Sequence, residues 1–260
     1  MFTTIRPLPA LVLAACLALT LTGIARADDD ASGNDGLSER ERAEVETLVR
    51  DYILDHPEVI LEAVQRLQAR QQAEEEARSQ AALADRAEDI DNHPMDPTHG
   101  PADAPVTLVE FFDYNCGYCK KLLPVMTKLI EERDDLRIVF KEFPILTPES
   151  EIAARAALAA DRQDLYLPFH QALMSMRGQM TEARILETAA SVGLDLDRLR
   201  QDMAAGEISR HIAETKALAQ EIGVTGTPAL VIGDTLVPGA VPYERIVALL
   251  DEAEARATAE

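Results

Sequence analysis

The chain has 260 residues, of which 47% are hydrophobic and 27% charged, so it can bury a sizeable core in one or two domains. Its formal net charge of -21 argues against direct binding to nucleic acid or to anionic lipid. We therefore expect a folded protein that has no nucleic-acid partner.

Residues 1–27 have the pattern of a secretory signal peptide. Arg6 supplies a short positive region, an apolar run follows, and Ala25 to Ala27 reads as a small-x-small cleavage site. The alternatives are a membrane anchor, for which the apolar run is barely long enough, and a lipoprotein attached through Cys16. Cleavage predicts a protein outside the cytoplasm, where disulfides persist.

The next part of the chain is predicted to be helical. Residues 28–36 are acidic and typical of a disordered start. Ser38 and Glu41 then form a capping-box pattern, and residues 37–67 predict two short amphipathic helices that are interrupted at Pro57. Their apolar face contains Val45, Leu48, Val49, Tyr52, Ile53, Val59, Ile60, Ala63, Val64 and Leu67. Helices this short are marginal alone, so this face either docks on the main domain or packs against copies of itself.

Residues 68–105 predict a helical spacer and a linker. Residues 68–91 consist mainly of Ala, Gln, Glu and Arg, which favours a solvated helix without the apolar residues to fold back on the next domain. Residues 92–105 are rich in Pro and turn formers and mark a domain boundary. The linker also carries possible metal ligands, although a polar linker explains them better: His93, Met95, Asp96 and His99.

Residues 106–258 alternate between strand and helix patterns, as an α/β domain does. Strands are predicted at 106–112, 136–145 and 228–233, and a hairpin turn at Gly233 leads to a further strand. A helix is expected from Cys116 to about Arg133, a helical insertion at about 148–222, and a last helix from about Tyr243 to Ala255.

Two cysteines at a strand-to-helix junction are the main candidate for chemistry. Cys116 lies where a helix begins, and the free N–H groups and dipole of the helix stabilise a thiolate there. In Cys-x-x-Cys motifs the pKa of the first thiol falls to about 3.5–7.5. Cys119 lies one turn further on, close enough to attack a mixed disulfide formed by Cys116. The spacing therefore predicts Cys116 as nucleophile and Cys119 as resolving thiol.

Other roles for the cysteine pair fit less well. A structural zinc site requires two further ligands, and the five histidines are scattered along the sequence, so we expect no metal site and no cofactor. A structural disulfide across so small a ring would constrain little of the unfolded chain. A function of another class remains open, because Cys116 and Cys119 are soft ligands that suit a Cu(I)-sequestering protein for copper tolerance.

Two segments of the chain resemble known families. The stretches GPADAPVTLVEFFDYNCGYCKK and GVTGTPALVIGDTLVPGAVPYERI resemble DsbA-like thioredoxin-fold oxidoreductases, while LVRDYILDHPEVILEAVQRLQ resembles the oligomerisation segment of the suppressor-of-copper-sensitivity C (ScsC) proteins. The resemblance implies a thioredoxin fold with a helical insertion, preceded by an α-helical oligomerisation segment at 37–67. It also implies a homotrimer or homodimer and a DsbD-like or ScsB-like membrane thiol reductase as partner.

The resemblance assigns roles to residues outside the dithiol. Pro228 matches the family's cis-proline, which faces the dithiol and binds substrate through its backbone, and Thr227 is the residue before it. Glu110 matches a buried acid that relays the proton of Cys119, although it also reads as an exposed strand residue. Lys141 on the next strand is a candidate partner for Glu110.

The residues between the cysteines bear on the direction of the reaction. Gly117 and Tyr118 stand where DsbA-type oxidants usually carry Pro-His, whose histidine helps to stabilise the thiolate. Together with Thr227 they resemble DsbC-type isomerases. We expect a periplasmic isomerase or reductase that acts on misfolded or wrongly disulfide-bonded proteins, with a DsbA-like protein disulfide oxidase as the alternative.

Overall fold

The structure is a computed structural model that describes residues 36–258, so the predicted signal peptide, Cys16 and most of the acidic start lie outside it. It forms two compact units that divide between Leu61 and Glu62. Within residues 36–258, no helix has both the length and the apolar character that crossing a bilayer requires. The helices are α1 (Glu39–Asp55), α2 (Glu58–Asp85), α3 (Ala87–Asp91), α4 (Gly117–Glu132), α5 (Pro148–Asp161), α6 (Tyr166–Ser175), α7 (Glu182–Ser191), α8 (Leu196–Met203), α9 (Gly206–Glu221) and α10 (Tyr243–Ala257). The strands are β1 (Thr98–His99), β2 (Val106–Phe112), β3 (Leu136–Glu142), β4 (Ala229–Ile232) and β5 (Thr235–Pro238).

Helix α1 begins with the predicted capping box, because the Ser38 hydroxyl accepts the Glu41 N–H while the Glu41 carboxylate accepts the Ser38 N–H. None of its residues is buried. The chain turns at His56 and Pro57, and α2 then continues without a break through the predicted boundary at residue 67. Large exposed apolar side chains occupy this region: Leu37, Val45, Leu48, Val49, Tyr52, Leu54, Ile60, Leu61, Val64 and Leu67.

The five strands form one sheet in the order β1-β3-β2-β4-β5. Strands β2 and β3 are parallel, and every other pair is antiparallel. Helices α5 to α9 form the predicted insertion between β3 and β4. The short edge strand β1 was not predicted; it lies in the segment that we expected to be a linker.

Alternation along the strands gives the sheet two buried faces. On β2, Leu108 and Phe112 face a core shared with α4, the insertion and α10. Val109 and Phe111 face a second core that includes residues of α9. Even-numbered side chains of β2 therefore point to the first core and odd-numbered ones to the second. The same alternation determines the face to which each polar side chain of the strand points.

The prediction that the spacer lacks residues to fold back on the catalytic domain is wrong. Leu83 and Ile90 are buried in the second core beside Val109. The Ser79 hydroxyl donates a hydrogen bond of 2.6 Å to the Ile222 carbonyl. These contacts help to hold the end of α2, and α3, on the sheet, since each buried large side chain contributes about 1.5–3 kcal/mol.

The prediction of a polar linker at 92–105 is also wrong in its central part. Thr98 and His99 pair with β3, and Asp96 is buried. The Asp96 carboxylate forms an ion pair with the buried ammonium group of Lys141, and it lies 2.9 Å from Nε2 of His211. The linker therefore belongs to the folded domain, where buried charges are tolerated because they are paired.

Candidate active site

The dithiol lies at the N-terminus of α4. Cys116 is the N-cap residue, and its Sγ accepts the backbone N–H of Cys119 at 3.3 Å. Both cysteines are free thiols and both are buried, with 5% of Cys116 and 1% of Cys119 exposed. The cap geometry directs the first sulfur at the open end of the helix, where a negative charge is stabilised.

The two thiols differ strongly in acidity. The pKa of Cys116 is lowered to about 5, chiefly by its hydrogen bond with the Cys119 side chain and further by hydrogen bonds with the Thr227 side chain and with the backbone N–H groups of Cys119 and Tyr118. Burial raises the pKa of Cys119 far above its ordinary value, and its hydrogen bond to Cys116 adds to the rise. At neutral pH Cys116 is therefore the thiolate and Cys119 the proton carrier.

The loop before β4 lies against the first sulfur. The Thr227–Pro228 peptide bond is cis, as the resemblance implies. The Cys116 thiol lies 3.2 Å from the Thr227 carbonyl oxygen, to which it donates a hydrogen bond while it is protonated. The Pro228 carbonyl accepts the N–H of Gly239 at 2.8 Å, which ties this loop to the residue after β5. Thr227 thus lies beside Cys116, and Pro228 follows it across the cis bond.

Glu110 lies in the middle of β2 and is 2% exposed, so the interpretation as an exposed strand residue is wrong. Its even position places it on the face of Leu108 and Phe112, the core that also contains both cysteines. The pKa of Glu110 is raised to about 8, mainly by burial and secondarily by the nearby Cys116. A group that titrates in this range beside a buried thiol is suited to exchange protons with it.

The predicted pairing of Glu110 with Lys141 does not occur. In the parallel register Glu110 lies opposite Phe140, whereas Lys141 lies opposite Phe111. Lys141 therefore points to the other face of the sheet, where its ammonium group binds Asp96 and donates to the Asp89 carbonyl at 2.5 Å. Neighbouring residues of a strand point to opposite faces of the sheet, so a shift of one position changes the face. The register between β2 and β3 could not be read from the sequence.

The two residues between the cysteines lie at the surface. A Cβ added to Gly117 would contact nothing within 4 Å. The Tyr118 ring is 63% exposed, and the ammonium group of Lys121 lies 4.9 Å from its centroid. A larger dipeptide would fit here without displacing the fold, so Gly117 and Tyr118 are available for adjusting the acidity of Cys116.

A buried polar network beside the dithiol was missed in the sequence. The hydroxyls of Tyr114 and Tyr166 donate to the same oxygen of Glu142 at 2.8 and 2.9 Å, and the Tyr114 hydroxyl lies 3.1 Å from Nδ1 of His170. Burial raises the pKa of Glu142 well above its ordinary value and lowers the pKa of His170 to about 3. The acid that ends strand β3, Glu142, was the one available signal.

The structure brings together two histidines that looked scattered in the sequence. His93 and His211 stack with ring centroids 4.4 Å apart, and candidate ligand atoms of these residues and of Asp96 lie within 4.8 Å of one another. The carboxylate of Asp96 is already neutralised by Lys141, whose positive charge opposes a second cation at the same place. The group is therefore better described as an ion pair that fixes residues 93–99 on the domain.

Comparison with known proteins places this fold and site in a family. Residues 107–251 match the profile described as a DSBA-like thioredoxin domain, and residues 41–74 match the profile described as the copper resistance protein ScsC N-terminal domain. These matches confirm the predicted thioredoxin fold and its preceding helical segment.

Solved structures agree with this assignment. A thioredoxin-like oxidoreductase from Silicibacter pomeroyi DSS-3 is 43% identical, with 65% of this chain and 97% of that chain covered and a TM-score of 0.63. ScsC from Proteus mirabilis, in a transitional conformation, is 31% identical, with 85% of this chain and 100% of that chain covered and a TM-score of 0.63.

Curated relatives match only in part. The chain is 32% identical over 166 residues to a protein named Na(+)/H(+) antiporter NhaA 1 from Salinispora arenicola; the match covers 62% of this chain and 26% of that protein. The chain thus spans about a quarter of the length of this relative. The profile match over residues 107–251, which is more than half of the chain, shows that the chain belongs to the DsbA-like thioredoxin domain family.

Proposed function

We propose that the protein is a periplasmic thiol–disulfide isomerase or reductase that acts on protein disulfides. The difference in acidity between its two thiols at the N-terminus of α4 supports disulfide exchange, and the observation that carries isomerisation or reduction is the exposed Gly117-Tyr118 pair, which lacks the Pro-His histidine of strong oxidants. With a pKa of about 5, Cys116 is almost fully ionised at neutral pH, while Cys119 keeps its proton. A reduced dithiol of this kind attacks disulfides directly.

The proposed reaction begins when the Cys116 thiolate attacks one sulfur of a client disulfide. The Cys116–client bond forms, the client S–S bond breaks, and the other client sulfur leaves as a thiolate. A client thiolate that attacks the mixed disulfide restores reduced Cys116 and leaves a rearranged client, without net oxidation. In reduction, Cys119 gives its proton to Glu110 and attacks Cys116, so that the client leaves with two thiols and the protein becomes a disulfide. A membrane thiol reductase of the DsbD or ScsB type then supplies two electrons.

The surface around the dithiol supports binding of a non-native client. In the unit from Glu62 onward, large exposed apolar side chains within the described residues are confined to Tyr118, Ile145, Leu146 and those of the α2 face. Tyr118 lies between the cysteines, and the backbone N–H groups of Ile145 and Leu146 bind the side chain of Asp113, three residues before Cys116. Exposed apolar groups at this place suit the apolar segments that misfolded proteins expose.

The helical arm supports self-association. We define the arm as residues 37–74, which comprise α1 and the first part of α2. Its apolar face is exposed in the single chain, although burying each large side chain contributes about 1.5–3 kcal/mol. Packing against copies of itself, as a trimer or a dimer, removes this face from water and gathers several dithiols around one client.

The second candidate is a DsbA-like oxidase, and the same thiol favours it. A pKa of about 5 lies between about 7, as in thioredoxin, and about 3.5, as in the oxidant DsbA. The reduced form is therefore more stable than in thioredoxin, which raises the oxidising power of the disulfide. The dipeptide between the cysteines has the opposite effect: Gly117-Tyr118 lacks the histidine of Pro-His, so the Cys116 thiolate is less stabilised and the disulfide is less oxidising.

A redox titration together with refolding of a scrambled disulfide protein tests the proposal. The isomerase proposal predicts a potential well below that of a strong oxidant and recovery of active substrate by the reduced protein in metal-free buffer. A DsbA-like potential, with oxidation of reduced clients and no recovery of scrambled ones, would favour the oxidase. Recovery that requires copper, or tight Cu(I) binding without exchange activity, would favour the copper-sequestering alternative.

A further inference from the structure

The side chain of Asp113, which immediately follows β2, connects three segments around the dithiol. It is 1% exposed, and each carboxylate oxygen accepts two hydrogen bonds. Oδ1 accepts the N–H of Asn115 at 2.7 Å and the hydroxyl of Ser150 at 2.7 Å. Oδ2 accepts the N–H groups of Ile145 and Leu146 at 2.9 and 3.0 Å. The donors belong to the dithiol loop, the loop after β3, and the first turn of α5.

No lysine, arginine or histidine forms an ion pair with Asp113 among residues 36–258. Its four donors are instead neutral N–H and hydroxyl groups with fixed directions. Buried carboxylates need such partners, and replacing even one oxygen leaves donors unsatisfied. The directions of these bonds, rather than an ion pair, determine what the residue does.

The hydrogen bonds of Asp113 control the approach to the first cysteine. Its backbone carbonyl accepts the N–H of Cys116 at 3.0 Å, while its side chain holds the N–H of Asn115. Both peptide groups that lead into α4 are therefore fixed, and Cys116 becomes the N-cap whose Sγ faces the Cys119 N–H. The Asn115 amide adds a second connection, since it donates to Ser150 at 3.1 Å.

We propose that Asp113 is a positioning residue that holds Cys116 in its N-cap geometry and fixes the exposed apolar pair Ile145 and Leu146 beside it. The inference rests on the proposed function, because it assumes that Cys116 is the attacking thiol. One carboxylate would then set both the reactivity of the sulfur and the place where an apolar part of the client lies.

A positioning role and a purely electrostatic role of Asp113 predict opposite changes in the pKa of Cys116 for the variant Asp113→Asn. If the carboxylate acted only through its negative charge, removing that charge would stabilise the thiolate and lower the pKa of Cys116. If it acts by positioning, the amide cannot accept from both the Asn115 side and the Ile145 side. The N-cap geometry then loosens, and the pKa of Cys116 rises.

The test is titration of the thiolate absorbance of the full reduced chain. For Asp113→Asn we expect the pKa of Cys116 to rise by about one unit, within the range that such motifs span. We also expect exchange with a peptide disulfide flanked by Leu to slow more than exchange with oxidised glutathione. The variant Ser150→Ala removes one donor without changing charge, so it should give a smaller rise and serves if Asp113→Asn does not fold.

Asp195→Asn is the matched control, because Asp195 is the exposed N-cap of α8 and lies outside the dithiol loop. A lowered or unchanged pKa of Cys116 in both Asp113→Asn and Ser150→Ala would overturn the inference, as would an equal rise in the control. These outcomes are separate from failure of the proposed function, which would show as a wild-type protein that has no acidic thiol or does not exchange disulfides.

Discussion

The helical arm and the catalytic domain use apolar side chains in opposite ways. No residue of α1 is buried, and the arm exposes apolar side chains both before and after the turn at Pro57. The catalytic domain buries or partly buries nearly all of its large apolar residues and leaves Tyr118, Ile145 and Leu146 exposed. The chain therefore has two exposed apolar surfaces, and we propose that the arm binds copies of itself while the dithiol region binds clients.

The largest expected effect comes from removing each cysteine in turn. Cys116→Ser should abolish all disulfide exchange because the attacking thiolate is lost, whereas Cys119→Ser should still attack and then accumulate mixed disulfides. Mass spectrometry of trapped complexes checks both variants. Trapping by the Cys116 variant and not by the Cys119 variant would reverse the assigned roles.

The arm is tested separately by charging its apolar face. If the arm self-associates as proposed, Leu48→Asp should give monomers, since a charge cannot be buried there without a partner, and it should leave exchange with small disulfides unchanged. Gln71→Asp, at an exposed position of α2, is the matched control and should keep the assembly. Sedimentation measures both; an unaltered mass for Leu48→Asp would argue against this face as the interface.

The proposed role of Glu110 as proton acceptor for Cys119 can be tested within the catalytic domain. Glu110→Gln should slow resolution of the mixed disulfide by roughly 10²-fold, because general base catalysis is lost, while the attack by Cys116 persists. The pKa of Glu110 is about 8, so wild-type resolution should speed up as pH rises toward 8 and the carboxylate ionises. Stopped-flow rates against pH show whether the variant lacks this rise; an unchanged profile would remove Glu110 from the relay.

The acidity of the first thiol predicts a pH profile. Since the pKa of Cys116 is lowered to about 5, its alkylation rate should be constant near neutral pH and fall to half as pH drops through about 5. Iodoacetamide labelling of the reduced protein measures this. A midpoint near the ordinary thiol value of 9.0 would mean that the cap geometry does not stabilise the thiolate.

The smallest expected effect comes from the dipeptide between the cysteines. Replacing Gly117-Tyr118 by Pro-His should lower the pKa of Cys116 further and make the protein more oxidising, because the histidine adds positive charge. Absorbance titration and a redox titration check the two changes. A raised or unchanged pKa would show that groups outside the dipeptide set the acidity.

The sequence predicted what depends on local pattern and missed what depends on register and packing. The capping box at Ser38, the N-cap position of Cys116 and the main strands follow from short-range signals. The cis bond before Pro228 came from the family resemblance and not from local chemistry. Lys141 was misplaced because a parallel register has no sequence signal, and one position along a strand changes the face.

The spacer and the linker show why composition alone misleads. Leu83 and Ile90 are isolated apolar residues in polar surroundings, yet each is buried because the second face of the sheet needs cover. Asp113 was not singled out in the sequence, and its four hydrogen bonds form only after β3 and α5 are in place. These contacts join distant parts of the chain, so no local pattern could predict them.

The most direct test of the two-surface account compares two activities in two proteins. The proteins are the chain from residue 28 onward and a variant of it lacking residues 36–74, which keeps Ser79, Leu83 and Ile90 on the sheet. The measured quantity is the ratio of scrambled-protein isomerisation to reduction of a small disulfide. We predict that the variant is folded and monomeric and reduces the small disulfide at an unchanged rate. It should lose most of its isomerisation of the scrambled protein, so the ratio should fall strongly. A full-length protein that is already monomeric, or an unchanged ratio, would contradict the account.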